Sequence, residues 1–249
     1  MKKYCLVTLC FLCCCGGYAA VGQGRPVDTA NAPAMEQPTW EELELRGAVQ
    51  KVVAVQRYAS GHDMNSQEEW EFDENGKLQR YTKSGFGGHH TTEYPRPIEP
   101  DKRQKATYDE DGDILELRRY AANRQLLSSS HYIYAAGGTL AATVTYSYEA
   151  GNDNAVASRT ETYFDKEGRR VSVEQYTADE VLQMEEHYKY NCHGDLAKRT
   201  QTFYNGTEKE ITREQHKYKY DHYGNWVRST YVNNGKTYYT TTRTITYYK

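Results

Sequence analysis

Apolar and polar residues alternate with period two along most of the chain, and glycine turns interrupt the alternation at recurring places. The clearest stretch is Tyr218-Lys219-Tyr220-Asp221-His222-Tyr223-Gly224-Asn225-Trp226-Val227. An aromatic residue four positions before a glycine recurs six times: Phe72, Tyr108, Tyr134, Phe164, Tyr190 and Tyr220 precede Gly76, Gly112, Gly138, Gly168, Gly194 and Gly224. The position six before the glycine reads Trp70, Ala106, Tyr132, Thr162, Tyr188 and Tyr218, so both positions share one strand face. Leu78, Ile114, Leu140, Leu196 and Trp226 follow two residues after the glycine, with Arg170 the exception.

Each unit predicts a hairpin. An Asp or Asn that opens a type I turn accepts main-chain hydrogen bonds, and the glycine three residues later takes the left-handed conformation. The combination closes a short loop with a bulge between antiparallel strands. Only Ala135-Ala136-Gly137-Gly138 lacks the acid or amide. The expected fold is all-β, an antiparallel meander of about six β-hairpin repeats in an open or partly closed sheet, over residues 40–249.

The remaining segments fit around these units. Leu45–Tyr58 reads as a first strand, pairing with the Trp70–Phe72 strand through a polar loop at Ser60–Gln67. Residues 85–105, rich in Gly and Pro, read as one long irregular insertion that stretches the first repeat spacing to 36 residues against 26 to 30 elsewhere. Loops are expected at Asn123-Arg124, Ala150–Asn154 and Thr177-Ala178-Asp179, and type I′ turns at Asn205-Gly206 and Asn234-Gly235. Lys236–Lys249 is an amphipathic closing strand with a threonine-rich, solvent-facing side. Thr39–Leu45 and Ala178–Glu186 are the only helix candidates. An open meander has two edges, so the Val49–Val55 or the Thr240–Tyr248 strand is expected to be covered or to self-associate.

Composition sharpens this picture. Tyr numbers 24 and Phe only 5, and a tyrosine can bury its ring while its hydroxyl stays solvated, as a thin sheet requires. A mean hydropathy of -0.92 with 26% charged residues also fits disorder, but disorder would leave the aromatic alternation without purpose. Residues 1–20 read as an export signal, with Lys2 and Lys3 before an apolar run and small residues around Ala19. Five of the six cysteines lie there, and Cys15 is the candidate lipid anchor. Residues 21–39, with Pro26, Pro33 and Pro38, read as a flexible tether. Loss of Lys2 and Lys3 takes the formal charge from -3 to -5, which gives no basis for nucleic-acid binding. Cys192 is then a lone turn residue with no disulfide partner.

The Tyr/Phe-Asp-x-x-Gly unit, with Arg169 or Asn225 after its glycine, resembles the tyrosine–aspartate repeat of bacterial Rhs/YD-repeat proteins over residues 68–231. It also resembles small secreted or lipid-anchored proteins of Bacteroides-type bacteria. The resemblance implies strand–turn–strand units and an extracytoplasmic bacterial setting in the periplasm, at the outer membrane or outside the cell. The uneven period and the absence of a toxin-like segment after the repeats depart from the family pattern.

Candidate chemistry is sparse. His131, His187 and His216 read as strand-face residues rather than metal ligands, and His89-His90 lacks a paired ligand pattern. Asp109, Asp111 and Asp113 place a glycine fourth, where a calcium loop needs it sixth. No nucleophile elbow, phosphate loop or zinc-protease signature occurs, so neither a cofactor nor a metal is expected. The candidate binding surface is the aromatic stripe of Tyr132, Tyr134, Tyr188, Tyr190, Tyr218, Tyr220 and Trp226, which is either core or a platform for sugar rings. The expected function is that of a non-catalytic secreted or envelope protein that binds an envelope or surface protein. A glycan- or cell-wall-binding module is the alternative, and a hydrolase with a site near residues 85–105 is the second.

Overall fold

The computed structural model describes residues 35–40, 42–60, 65–85, 88–97, 103–149 and 151–249. The export signal and Cys15 lie outside the described residues, as does the tether before Met35. Seventeen strands and no helix are found among the described residues: β1 (Met35–Glu36), β2 (Val49–Tyr58), β3 (Ser66–Phe72), β4 (Leu78–Gly85), β5 (Gly88–Glu93), β6 (Arg96–Pro97), β7 (Gln104–Tyr108), β8 (Ile114–Tyr120), β9 (Leu126–Tyr134), β10 (Leu140–Glu149), β11 (Asn152–Phe164), β12 (Arg170–Thr177), β13 (Leu182–Tyr190), β14 (Leu196–Asn205), β15 (Glu208–Tyr220), β16 (Trp226–Asn233) and β17 (Lys236–Tyr247). β1 pairs with β6, and the other fifteen form one open antiparallel sheet in the order β5-β4-β3-β2-β17-β16-β15-β14-β13-β12-β11-β10-β9-β8-β7.

The turns work as their residues predict. Oδ1 of Asp73, Asp109, Asp165, Asn191 and Asp221 accepts hydrogen bonds from the main-chain N–H groups two and four residues on, at 2.8–3.1 Å. The six repeat glycines have φ between 75° and 92°. Gly138 completes the degenerate turn through main-chain bonds alone, donating to Ala135 at 3.1 Å. After every turn the register slips by one residue, so the aromatic before it pairs with the residue six positions later, as Phe164 does with Arg170 and Tyr220 with Trp226.

Two turns of the same geometry carry no glycine. Arg124 (φ 69°) and Glu180 (φ 59°) occupy the left-handed position, and Thr177 Oγ1 takes the role of the aspartate by accepting from Asp179 and Val181. The expected loops at 123–124 and 177–179 are therefore units of the same series. Asn234 and Gly235 both have positive φ, as a type I′ turn requires. At the other expected type I′ turn Asn205 pairs with Glu208, and of the two turn residues only Gly206 has positive φ, the type II′ pattern.

Several expectations are corrected. Residues 85–105 are not one irregular insertion, because β5 folds back on β4 from Gly85↔Gly88 to Arg80↔Glu93. Ala178–Glu186 is a turn leading into β13. Thr39–Leu45 starts as a helix would: Thr39 N–H donates to Glu42 and Glu42 N–H to the Thr39 hydroxyl, a capping box. It ends after one turn, with Glu44 at φ 54°. The first and last long strands, by contrast, are covered as expected, and each covers the other: β2 pairs with β17 from Val49↔Tyr247 to Tyr58↔Tyr239. The edges are β5 and β7.

The hydrophobic core lies beneath the segment that precedes β2. Leu45, Val49, Val52, Phe72 and Leu78 are buried together, with Trp40, Leu43, Trp70, Tyr81, Ile245 and Tyr247 packed around them. Trp40 donates its indole N–H to the Val49 carbonyl at 2.8 Å and lies against Gly76, where a Cβ would sit 2.5 Å from the ring. Asn225, 3% exposed, accepts from the Arg46 N–H and donates to the Arg46 carbonyl, both at 2.7 Å. The segment is thus a strap from the first repeat turn to the last, crossing the β2–β17 seam.

A left-handed conformation costs a residue with a Cβ about 1–2 kcal/mol, partly offset by the backbone entropy of a glycine replacement. Arg124→Gly is therefore expected to stabilise the fold by about 0.5–1 kcal/mol, whereas Gly168→Ala, with open space around its Cβ position, destabilises it by about 1 kcal/mol. Chemical denaturation of the two variants checks the pair.

Candidate functional site

The strand registers place the seven stripe residues on one face, with Tyr218 opposite Ser229, and Trp226 opposite Tyr220 across a bulge. Tyr188 is buried and the other six are half-buried. Their hydroxyls explain the preference for tyrosine. Tyr134 donates to the Ile114 carbonyl at 2.9 Å, Tyr190 to Arg170 at 2.8 Å and Tyr218 to Leu196 at 2.9 Å. Each acceptor lies two residues after the glycine of the preceding turn, at its bulge, so each tyrosine ties its own hairpin to the one before. Tyr220 donates to Asp195 and accepts from Asn191, both at 2.6 Å; burial first, then the Asp195 carboxylate, hold its pKa well above the ordinary range. Tyr247 bonds Asp221 at 2.5 Å, and burial with that carboxylate raises it to about 12.

Most of the ring faces are also occupied. Guanidiniums lie over three of the rings: Arg170 on Tyr188 at 4.8 Å, Arg169 on Tyr190 at 4.8 Å and Arg243 on Trp226 at 3.4 Å from the centroids. His193 stacks on Tyr220 at 3.8 Å, and Tyr218 lies between the rings of His216 and Tyr220.

The same face holds a buried charge network that the sequence pattern did not single out. Glu186 and Glu214 are 7% and 6% exposed. Arg199 bonds Glu214 at 2.6 Å and lies 3.6 Å from Glu186, which also accepts from Gln201 at 2.7 Å and from the Tyr188 hydroxyl. Burial, then Glu186, raises the Tyr188 pKa, and burial, then Glu214, does the same for Tyr231. The available signal was parity: Glu186 is two residues from Tyr188, and Glu214 four from Tyr218. One arginine between two buried carboxylates is costly to break and contributes little net stability compared with an apolar replacement.

Two shallow clefts are formed by described residues. One, of about 430 Å³, lies at the far hairpin ends between Ile211, Arg213, Gln215, Asn234 and Gly235. The other, of about 380 Å³, lies on the turn rim, where the strap residues Glu44 and Arg46 face Glu167, Arg169, His193, Asp195, Trp226 and Arg243. Its charges come from the strap, two successive repeats and β17, and they balance, with Glu44, Glu167 and Asp195 against Arg46, Arg169 and Arg243. Arg46 closes one wall by donating to the His193 carbonyl at 3.3 Å.

The other candidates are dispersed. His131 on β9 and His187 on β13 stand four strand spacings apart, about 19 Å. No group of three or more His, Cys, Asp or Glu with metal-binding spacing occurs among the described residues. Asp109 caps its own turn. His89 and His90 lie on β5, beside Thr91 and Thr92. Cys192 is exposed.

No protein-family model and no curated protein matches the chain. Solved structures similar to it include the Photorhabdus luminescens Tc holotoxin pore, with 17% identity and a TM-score of 0.36 over 72% of this chain and 9% of that one. Porin-like proteins of Bacteroides uniformis and Bacteroides vulgatus align over 80% of this chain and 98% of theirs, at 12% and 14% identity with TM-scores of 0.29 and 0.38. The chain spans 9% of the toxin chain that it matches. Likenesses of this size carry no conclusion about function.

Two predictions follow from the geometry. Tyr218→Phe loses the bond to Leu196 and is expected to cost about 1 kcal/mol, while Tyr132→Phe, whose hydroxyl has no partner among the described residues, is nearly neutral; denaturant midpoints compare them. His216, between Tyr218 and Tyr231, has its pKa lowered by burial and Arg199 against the opposing pull of Glu214. Its contribution to stability is complete above the ordinary imidazole value of 6.5 and is lost as the pH falls below it toward the folded value. His216→Gln is expected to flatten the stability profile in that window, as thermal unfolding against pH will show.

Proposed function

We propose that the chain is a non-catalytic binding protein of the cell envelope that engages a protein partner through the cleft on its turn rim. The export signal in the sequence supports the location. The observation that carries the reading is the occupation of the aromatic face. Rings that serve as a sugar platform need open faces, and five of the seven candidates, Tyr188, Tyr190, Tyr218, Tyr220 and Trp226, have guanidiniums, imidazoles or other rings against them. Their hydroxyls, where bonded, are used inside the fold. Polar groups from separate repeats converge at the rim cleft, where Arg169, Asp195 and Arg243 meet the strap. A groove whose balanced charges come from several elements suits a polypeptide segment better than a polyanion or a neutral sugar chain.

A photo-crosslinking residue at Glu44 or Glu167, in cells of the natural host, is expected to trap one discrete protein adduct, and the same residue at Tyr163 or Thr244 to trap none. Isolated cell-wall polymer and soluble polysaccharides are expected not to retain the protein. Saturable binding to a polysaccharide that is lost in a folded Tyr132→Ala variant would favour the glycan reading instead.

A further inference from the structure

The two free edges of the sheet point to a second copy of this chain. All fourteen neighbouring pairs in the fifteen-strand sheet are antiparallel, so β5 and β7, an even number of steps apart, run in the same direction. Closing the sheet on itself would therefore need a parallel pair. A two-fold axis perpendicular to the sheet instead sets a strand antiparallel to its own copy and keeps the faces matched.

The hydrogen-bond phase shows which groups β5 offers. Tyr94 N–H donates to the Gln79 carbonyl at 2.8 Å. Narrow pairs recur every second residue, so Lys83↔His90 and Tyr81↔Thr92 are also hydrogen-bonded, and the main-chain groups of His89, Thr91 and Glu93 point off the edge. No described residue takes up these groups through its main chain. All three side chains are exposed.

We propose that β5 pairs with β5 of a second copy, antiparallel and centred on Thr91. In that register Thr91 meets the partner's Thr91, and His89 meets the partner's Glu93 twice over, once from each side. Three narrow pairs with two bonds each supply six main-chain hydrogen bonds. Sliding the partner by two residues sets Thr91 opposite His89 or Glu93, which loses one narrow pair and both His–Glu contacts, and sliding it by four sets His89 opposite His89 or Glu93 opposite Glu93. β5 carries no Lys, Arg or Pro among its residues. The other edge, β7, carries Lys105 as the second of its five residues, the kind of residue that guards an edge against pairing.

Sedimentation velocity on the protein as its host cell processes it tests the pairing. The wild type is expected to form a concentration-dependent dimer. Thr91→Pro removes an outward N–H that the fold does not use, and is expected to give a folded monomer by circular dichroism. His89→Glu sets like charges opposite each other twice and weakens dimerisation by about tenfold, and adding Glu93→His restores it. A wild type that stays monomeric at its highest soluble concentration overturns the proposal. So does a dimer that survives the β5 changes, or one that Ala106→Pro on β7 dissolves instead.

Discussion

The fold depends on one oxygen in five of its six repeats. A carboxylate or amide Oδ1 at the start of the turn holds two main-chain N–H groups, which fixes the next residues and sends the fourth into the left-handed conformation. A bulge follows, because the turn leaves the two strands one residue out of step. The bulge leaves a carbonyl without its ladder partner, and a neighbouring tyrosine hydroxyl reaches it. Turn, bulge and tyrosine are consequences of the same local geometry.

This linkage accounts for a composition that is otherwise odd. A sheet with no second layer over most of its length cannot bury large apolar side chains, and its fully buried residues number few: Val49 and Val52 are the largest. Phenylalanine would supply ring area but leave the bulge carbonyl unpaired. Tyrosine supplies both, and arginines lying over the rings exclude water from faces that no opposing sheet covers. The buried Glu186–Arg199–Glu214 group belongs to the same economy of side chains lying across their neighbours.

The hairpin units were legible in the sequence because Asp-x-x-Gly and period-two aromatics have direct physical meanings. Where the glycine is absent the units were read only as loops: Arg124 and Glu180 hold the left-handed position with a Cβ, and Thr177 or Ala121 stands where the aspartate would mark the turn. The one-turn fate of Thr39–Leu45 was hidden because its capping box is genuine, while the contacts of Trp40 with Gly76 and of Arg46 with Asn225 that hold the segment in place join it to residues distant in the chain. The parity of the stripe residues is readable from spacing, but spacing cannot tell whether a ring face is open, because Arg170 and Arg243 reach it from other strands. Sheet order was the least accessible feature, as local patterning holds no information about which distant strand completes β2.

That completion has a kinetic side. The spatial order of the strands is the chain order cut between β5 and β7 and rejoined where β2 meets β17, so the strand that is made first waits for the one made last. Hairpins from β7 onward can add one at a time, each on its predecessor, with short loops to close. The seam cannot, because nearly the whole domain separates its two strands. Until β17 arrives, β2 presents a bare, valine-rich edge while the strap lacks the Asn225 contact that anchors its far end. A chain that emerges from a membrane N-terminus first would carry that unfinished edge throughout its emergence, and the seam would be the last part of the sheet to gain protection against hydrogen exchange.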